Sequence, residues 1–358
     1  MTRLLLVTDA VGGVWTYSLE LATALRPLGI ETILAVAGPA PSRSKLKEAS
    51  DFQLIQTGLP LEWIETSPDE IRRAGPGLAA LADHEDADII QVSSAALLAG
   101  CNSSRPTVAV QHSCVASWWE AVKAGPLPDD LQWRHDLAEA GLRRASVVVA
   151  PSAAFAAETA RLYGVATVAV YNGRQTELRD NIPPGDFVLT AARLWDEGKN
   201  VAVLDRAAGM IDIPMLAAGP TSGPNGARVS FEHLQLLGEI APSRLRGLLA
   251  TRPIFASAAL YEPFGLSVLE AAQAGCALVL SDIPTYRELW ADAAIFVRPR
   301  DAQGFAAAID DLMDAPAKRE RLGDLAGRRS VTFTPERMAH GMAEIYETVG
   351  SSAMAGAA

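Results

Sequence analysis

Two glutamates, Glu262 and Glu270, stand eight positions apart in the stretch YEPFGLSVLEAAQAG, from Tyr261 to Gly275. Such a pair has three readings: an acid/base couple, two ends of a ligand grip, or ordinary helix-end charges in water. Pro263 suits a helix start, Gly265 permits close backbone approach, and the alanine-rich run that follows has few helix breakers. At a rise of ~1.5 Å per residue the two carboxylates are roughly 10 Å apart. Glycoside hydrolysis by two carboxylates needs about 5–9.5 Å across one sugar, so that scheme fits poorly. The amides of Gly265, Leu266 and Ser267 open the helix without intrahelical partners and make an anion site between the two acids. The spacing therefore suits an elongated ligand with an anionic middle; solvated helix-end glutamates are the plainer alternative.

Four further groups have the right types for chemistry. Arg193 and Lys199, in ARLWDEGKN, fall in a loop after a strand, where a planar guanidinium and a point charge can neutralise a phosphate or simply meet water. Gly12-Gly13 makes a glycine turn in the first strand-helix unit. It lacks the G-x-G-x-x-G dinucleotide fingerprint, yet its amides can approach a phosphate. His112, in VAVQHSC, follows a strand and faces the same crevice edge, with a structural histidine as the other reading. Asp86-Ala87-Asp88 spells D-x-D, but it leads into a strand at its amino end, away from the crevice, so no metal role is expected.

The elements that must position these groups follow a strand-loop-helix grammar. RLLLVTD, ETILAVAG, ADIIQVSS, PTVAVQHS and ASVVVAPS read as buried strands, with TYSLELATALRPLG as a helix at 3.6-residue spacing. A second copy of the grammar begins after NGRQTELRDNIPPGD, with Pro183, Pro184 and Gly185 marking a linker. It continues through FVLTA, IPMLAAGP, RVSFEHLQLLGEI, RPIFASAAL, ALVLSD and AAIFVRP. The expectation is α/β, with two Rossmann-like doubly wound domains facing each other across a ligand cleft. Their bounds are 1–175 and 183–335. A C-terminal helix at 336–350 packs back on the first domain, and SSAMAGAA forms a disordered tail.

The bulk numbers agree with a globular, two-core chain: 358 residues, 49% apolar and 20% charged. A net charge of −11 argues against a nucleic-acid partner and disfavours anionic lipid. The cysteines Cys101, Cys114 and Cys276 have no ligand spacing and read as buried thiols in a reducing cytosol. The short apolar start before Asp9 is too brief for a signal-peptide core, and no apolar run reaches the ~18 residues of a membrane helix. A cytoplasmic protein without stable membrane insertion is expected.

Together these pieces resemble the GT-B-fold, retaining, family-4 glycosyltransferases, over nearly the whole chain. The resemblance is strongest in YEPFGLSVLEAAQAG, similar to that family's E-x7-E signature, and in the CALVLSDIPTYRELWADAAIFVRP that follows. RLWDEGKNV, Asn172-Gly173 and GGVWTYSLELATAL occur in the expected order. The resemblance implies roles for each group. Arg193 and Lys199 bind the diphosphate and steady the leaving nucleotide, helped by the Gly265, Leu266 and Ser267 amides. Glu270 takes the ribose, and Glu262 with Phe264 and Gly265 faces the donor sugar. His112 lies beside the transferred sugar, Gly13 meets the diphosphate, and the backbone of Glu239 and Ile240 flanks the base.

The implied activity is metal- and cofactor-independent transfer of a sugar, hexosyltransferase-like, from a nucleoside-diphosphate sugar to an unidentified acceptor. No carboxylate stands out as a nucleophile, and the family reading favours front-face displacement. A dissolved acceptor is favoured over a lipid because Arg143 and Arg144 form no basic helix face. Trp118 and Trp119 can stack on it or fill the core. The alternatives are a nucleotide-sugar epimerase or hydrolase on the same fold, and a non-catalytic nucleotide-sugar-binding protein. Ala259, Ala277 and Gly173-Arg174-Gln175 depart from the family pattern, and the last of these leaves the donor's identity open.

Overall fold

The computed structural model of the protein describes residues 1–64, 67–175, 182–224 and 226–357. The chain divides into two units, Met1–Gly173 with Pro335–Ala358, and Arg174–Thr334. Residues 176–181 of the expected linker lie outside the described residues.

The first unit holds β1 (Thr2–Asp9), β2 (Ile30–Ala37), β3 (Gln53–Gln56), β4 (Ile89–Val92), β5 (Thr107–Val110), β6 (Val147–Ala150) and β7 (Thr167–Ala169). All pair in parallel, in the order β3-β2-β1-β4-β5-β6-β7. The apolar run Leu4-Leu5-Leu6 is fully buried because helices cover both faces of such a sheet. Its residues alternate between layers. Leu5 and Val7 join Ile33 and Leu78 on one face, while Leu4 and Leu6 join Trp15, Leu21 and Leu34 on the other.

The second unit repeats the plan with β8 (Val188–Ala191), β9 (Met215–Ala218), β10 (Gln235–Gly238), β11 (Ile254–Ser257), β12 (Leu278–Ser281) and β13 (Ala294–Val297). These are parallel too, in the order β10-β9-β8-β11-β12-β13. Val188, Ala256 and Val279 face one core layer, and Leu189, Phe255 and Leu278 the other. In each sheet the strand order reverses once, at β1/β4 and at β8/β11. Connections leave such a switch point in opposite directions, so the carboxyl ends of its strands are open to a ligand.

The last helix, Pro335–Ala357, packs on the first unit. Met338, Ala339, Met342, Tyr346 and Val349 lie on one face and join the layer of Leu4, Leu6 and Trp15. Its length corrects the expectation of a disordered SSAMAGAA tail, since the helix runs through Ala357. Alanine and methionine are strong helix formers, and a helix already nucleated and packed extends at little cost. Among the described residues no helix is long and apolar enough to cross a membrane.

Candidate functional site

In the second unit, the loops after β8 and β11 meet at the switch point. Leu260 and Tyr261 both donate their amides to the Gly198 carbonyl, at 2.9 and 3.2 Å. Asn200 adopts a left-handed conformation (φ 53°), which asparagine tolerates, and its Nδ2 donates to the carbonyls of Ala258 at 2.8 Å and Pro299 at 2.6 Å. These bonds fix the turn carrying Lys199 against the strand leading to Glu262. Lys199 Nζ lies 2.7 Å from Glu262 Oε2, and the two side chains are only 16% and 15% exposed. The structure thus brings together a cation assigned to the phosphate and a carboxylate assigned to the sugar.

Arg193 lies in the same loop, 2.8 Å from Asp196 Oδ2 and 5.5 Å from the centre of the Trp195 ring. Asp196 also accepts the Gly198 amide at 2.9 Å, so one carboxylate shapes the turn and orients the guanidinium. Nothing in the sequence pattern singled out Asp196. Its signal was its position three residues after Arg193 in a tight turn, where an Asx-type bond to the backbone is expected.

Gly265 caps the helix Leu266–Gln273 with φ 93° and ψ 66°. A side chain there would be strained, and its Cβ would come 3.2 Å from Tyr286 Cε1 and 3.3 Å from Glu262 Cγ. Tyr286 is fully buried, and its hydroxyl shares a hydrogen bond with Ser257 at 2.7 Å. Burial, then the nearby Glu262 charge, pushes its phenol well above the ordinary value, so it stays neutral. Phe264 turns into the core, 3% exposed, with its ring edge-on to Phe333 at 5.7 Å. What Phe264 offers a ligand is therefore its main chain.

Glu270, on the first turns of that helix, is paired with Arg174 Nε. Arg174 is also held through its backbone: its amide donates to Phe333 at 3.3 Å and its carbonyl accepts from Gln273 Nε2 at 2.5 Å. Glu270 and Gln273, three apart, share a helix face, which is why one residue meets both. The pairing falls at the position where the chain departs from the family pattern, and sequence reading had not joined the two. Glu239 and Ile240 follow the edge strand β10, on the carboxyl edge of the same sheet, with Glu239 exposed.

In the first unit, Gly13 begins the helix Gly13–Leu25 directly after β1, at that sheet's switch point. Asp9 Oδ1 accepts the Val11 amide at 2.7 Å and shapes the turn. His112 follows β5, one strand beyond β4. Its ring centroid is 4.3 Å from that of Tyr17, with 66° between the planes. His112 Nε2 is buried with no hydrogen-bond partner among the described residues. Burial pulls the imidazole down to about 4, so it is neutral at pH 7.

Trp118 and Trp119 lie in the helix Val115–Val122, their ring centroids 6.4 Å apart, both half-buried. The D-x-D pair is used internally: Asp88 accepts the Arg3 amide at 2.7 Å, and Asp86 lies 3.6 Å from Arg105. Among the described residues no group of three or more His, Cys, Asp or Glu is placed to hold a metal.

Residues 11–178 match the family described as Glycosyltransferase Family 4, and residues 230–329 match Glycosyl transferases group 1. A glycogen synthase of Mycobacterium tuberculosis is 38% identical over 89 residues, 24% of this chain and 22% of that one. That match spans about a fifth of the relative's length. Sucrose-phosphate synthase from Thermosynechococcus elongatus superposes with a TM-score of 0.81 at 17% identity, over 98% of this chain and 100% of the other. HepE of Anabaena, solved in complex with UDP and glucose, gives 0.73 at 17% identity, over 97% and 100%.

Proposed function

The chain belongs to the GT-B glycosyltransferases, and we propose that it transfers a sugar, with retention and without a metal ion, from a nucleoside diphosphate to an acceptor hydroxyl. The observation that carries this reading is the β8/β11 switch point of the second unit. There Arg193, Lys199 and the amides opening the helix at Leu266 gather on one sheet edge, with Glu262 and Glu270 on either side of the helix start. The structural relative crystallised with UDP and glucose supports the same class of donor.

Departure of the nucleotide concentrates negative charge on the outer phosphate while the sugar becomes oxocarbenium-like. Two fixed cations and a helix N-terminus stabilise that charge in place, which is the part a metal plays in other transferases. Lys199 then divides its attraction between the phosphate and Glu262, and that division holds Glu262 toward the sugar. Glu270 accepts the ribose hydroxyls, and its Arg174 partner orients the carboxylate. Being neutral, His112 holds a sugar hydroxyl by hydrogen bonding and does not protonate it. With no nucleophilic carboxylate assigned, displacement proceeds on the front face, and the departing phosphate takes the acceptor proton.

A dissolved acceptor is favoured, with Trp118 and Trp119 as its stacking surface. A cytoplasmic location fits the three cysteines, all buried and none in a disulfide among the described residues.

The test is to incubate the protein with UDP-, GDP- and ADP-sugars in EDTA and to follow nucleotide release with and without a panel of sugar and polyol acceptors. Acceptor-dependent release with an α-linked product from an α-linked donor supports the proposal. Release without acceptor points to a hydrolase, conversion of the sugar without release to an epimerase, and binding without turnover to a non-catalytic protein.

A further inference from the structure

Strand β4 reads Ile89-Ile90-Gln91-Val92, and Gln91 is 0% exposed among apolar neighbours. A primary amide at the centre of a parallel sheet is costly unless every polar atom finds a partner. Here both ends do. Gln91 Oε1 accepts the hydroxyl of Tyr346, 255 residues away on the C-terminal helix. Gln91 Nε2 donates to the hydroxyl of Tyr17 at 3.3 Å, on the helix after β1. Both tyrosines are 2% exposed. Burial pushes both phenols far above their ordinary range, so the chain of bonds stays neutral and intact across physiological pH.

The chain ends on His112. Tyr17 presents its ring to the imidazole at 4.3 Å between centroids, and His112 Nε2 has no hydrogen-bond partner among the described residues. On that side the imidazole is therefore placed by ring packing. The ring that packs on it is placed by Gln91, and Gln91 by Tyr346. The strand order explains why one amide serves both: β4 stands between β1, which feeds the helix of Tyr17, and β5, which feeds His112.

We propose that Tyr346 is a positioning residue for the His112 imidazole, acting through Gln91 and Tyr17, so that the C-terminal helix helps set the reactive geometry of the first unit. The proposal rests on the reading of His112 as the group beside the transferred sugar.

The experiment is NMR of ring-labelled histidine in the full chain, which has five histidines, with His112 assigned by its loss in His112→Gln. In Tyr346→Phe the His112 ring signals should shift and broaden while the other four stay in place. The rate of donor turnover should fall on the order of ten- to hundredfold, as small displacements of reacting groups do. UDP, GDP and ADP affinities, measured by calorimetry, should remain within about twofold, since the donor grip lies in the second unit. Tyr17→Phe keeps the ring and removes the acceptor of the Gln91 bond; it should give the same shift, and it stands in if Tyr346→Phe does not fold. Unmoved His112 signals in a folded variant overturn the proposal, as does a shifted ring with an unchanged rate. A wild-type chain that turns over no nucleotide-sugar overturns the functional reading instead, and the ring signals still decide the coupling.

Discussion

At the residue scale, two of the charged groups read from the sequence are paired with each other. Lys199 was assigned to the phosphate and Glu262 to the sugar, yet they are bonded at 2.7 Å with little exposure. Lys199→Ala removes the cation proposed for the phosphate and leaves Glu262 half-buried without its partner. Donor turnover should fall on the order of 10²–10³-fold, the scale for one preorganised donor, with an unchanged circular-dichroism spectrum. A near-normal rate would remove Lys199 from the machinery.

His112 gives a pH signature. Its folded value of about 4 lies below the ordinary histidine range, so between those values the unfolded chain binds the extra proton. The stability tied to neutral His112 is thus fully present above about pH 6.5 and is lost as pH falls from there to about 4, on the order of 3 kcal/mol in all. Urea midpoints at pH 7 and 5 should differ more for the wild type than for His112→Gln. Equal differences would show that burial does not hold this imidazole neutral.

At the element scale, the helix Leu266–Gln273 is bracketed by two glycines with positive φ, Gly265 at 93° and Gly275 at 76°. The second ends the helix in the usual left-handed C-terminal turn, its amide bonded to Ala272 at 2.9 Å and that of Cys276 to Ala271 at 3.0 Å. Alanine at either position should cost about 1–2 kcal/mol through backbone strain. Only Gly265→Ala presses on Glu262 and Tyr286, because at Gly275 the nearest foreign atom, Arg252 Cδ, is at an ordinary 3.5 Å. Both variants should show lower urea midpoints, and only Gly265→Ala should lose nucleotide affinity. Equal affinity losses would mean that the helix start has no special role.

These elements were also the most legible part of the sequence. The glycine, proline and apolar runs that mark β1, β4, β5, β8 and β11 are local signals. The edge strands β3 (Gln53–Gln56) and β7 (Thr167–Ala169) escaped because they are short and only partly covered, so their apolar patterns are weak. The pairs Lys199–Glu262, Arg174–Glu270 and Gln91–Tyr346 escaped for a different reason. Each joins residues 63 to 255 positions apart, and nothing in either partner's own neighbourhood announces the other.

At the scale of the whole molecule, the chain crosses from its first unit to its second and returns to the first in its last helix. Met342, 1% exposed, seats that helix in the layer of Leu4, Leu6 and Trp15. Met342→Asp would bury an unpaired charge there and should destabilise the first unit by roughly 3 kcal/mol or more. Hydrogen exchange should speed up in β1, β4 and the helix Gly13–Leu25, while the strands of the second unit keep their protection. Uniform loss across both units would mean that they unfold as one.

The central claim is that the second unit grips a nucleoside diphosphate with protein cations and helix amides alone. Calorimetric titration of UDP, GDP and ADP into the protein in EDTA tests it most directly, with Arg193→Ala alongside. At least one nucleotide should bind without metal, and Arg193→Ala should bind it at least about tenfold more weakly, as expected for loss of a charge-assisted phosphate contact. Binding that appears only when magnesium is restored, or affinity untouched by Arg193→Ala, would contradict the account.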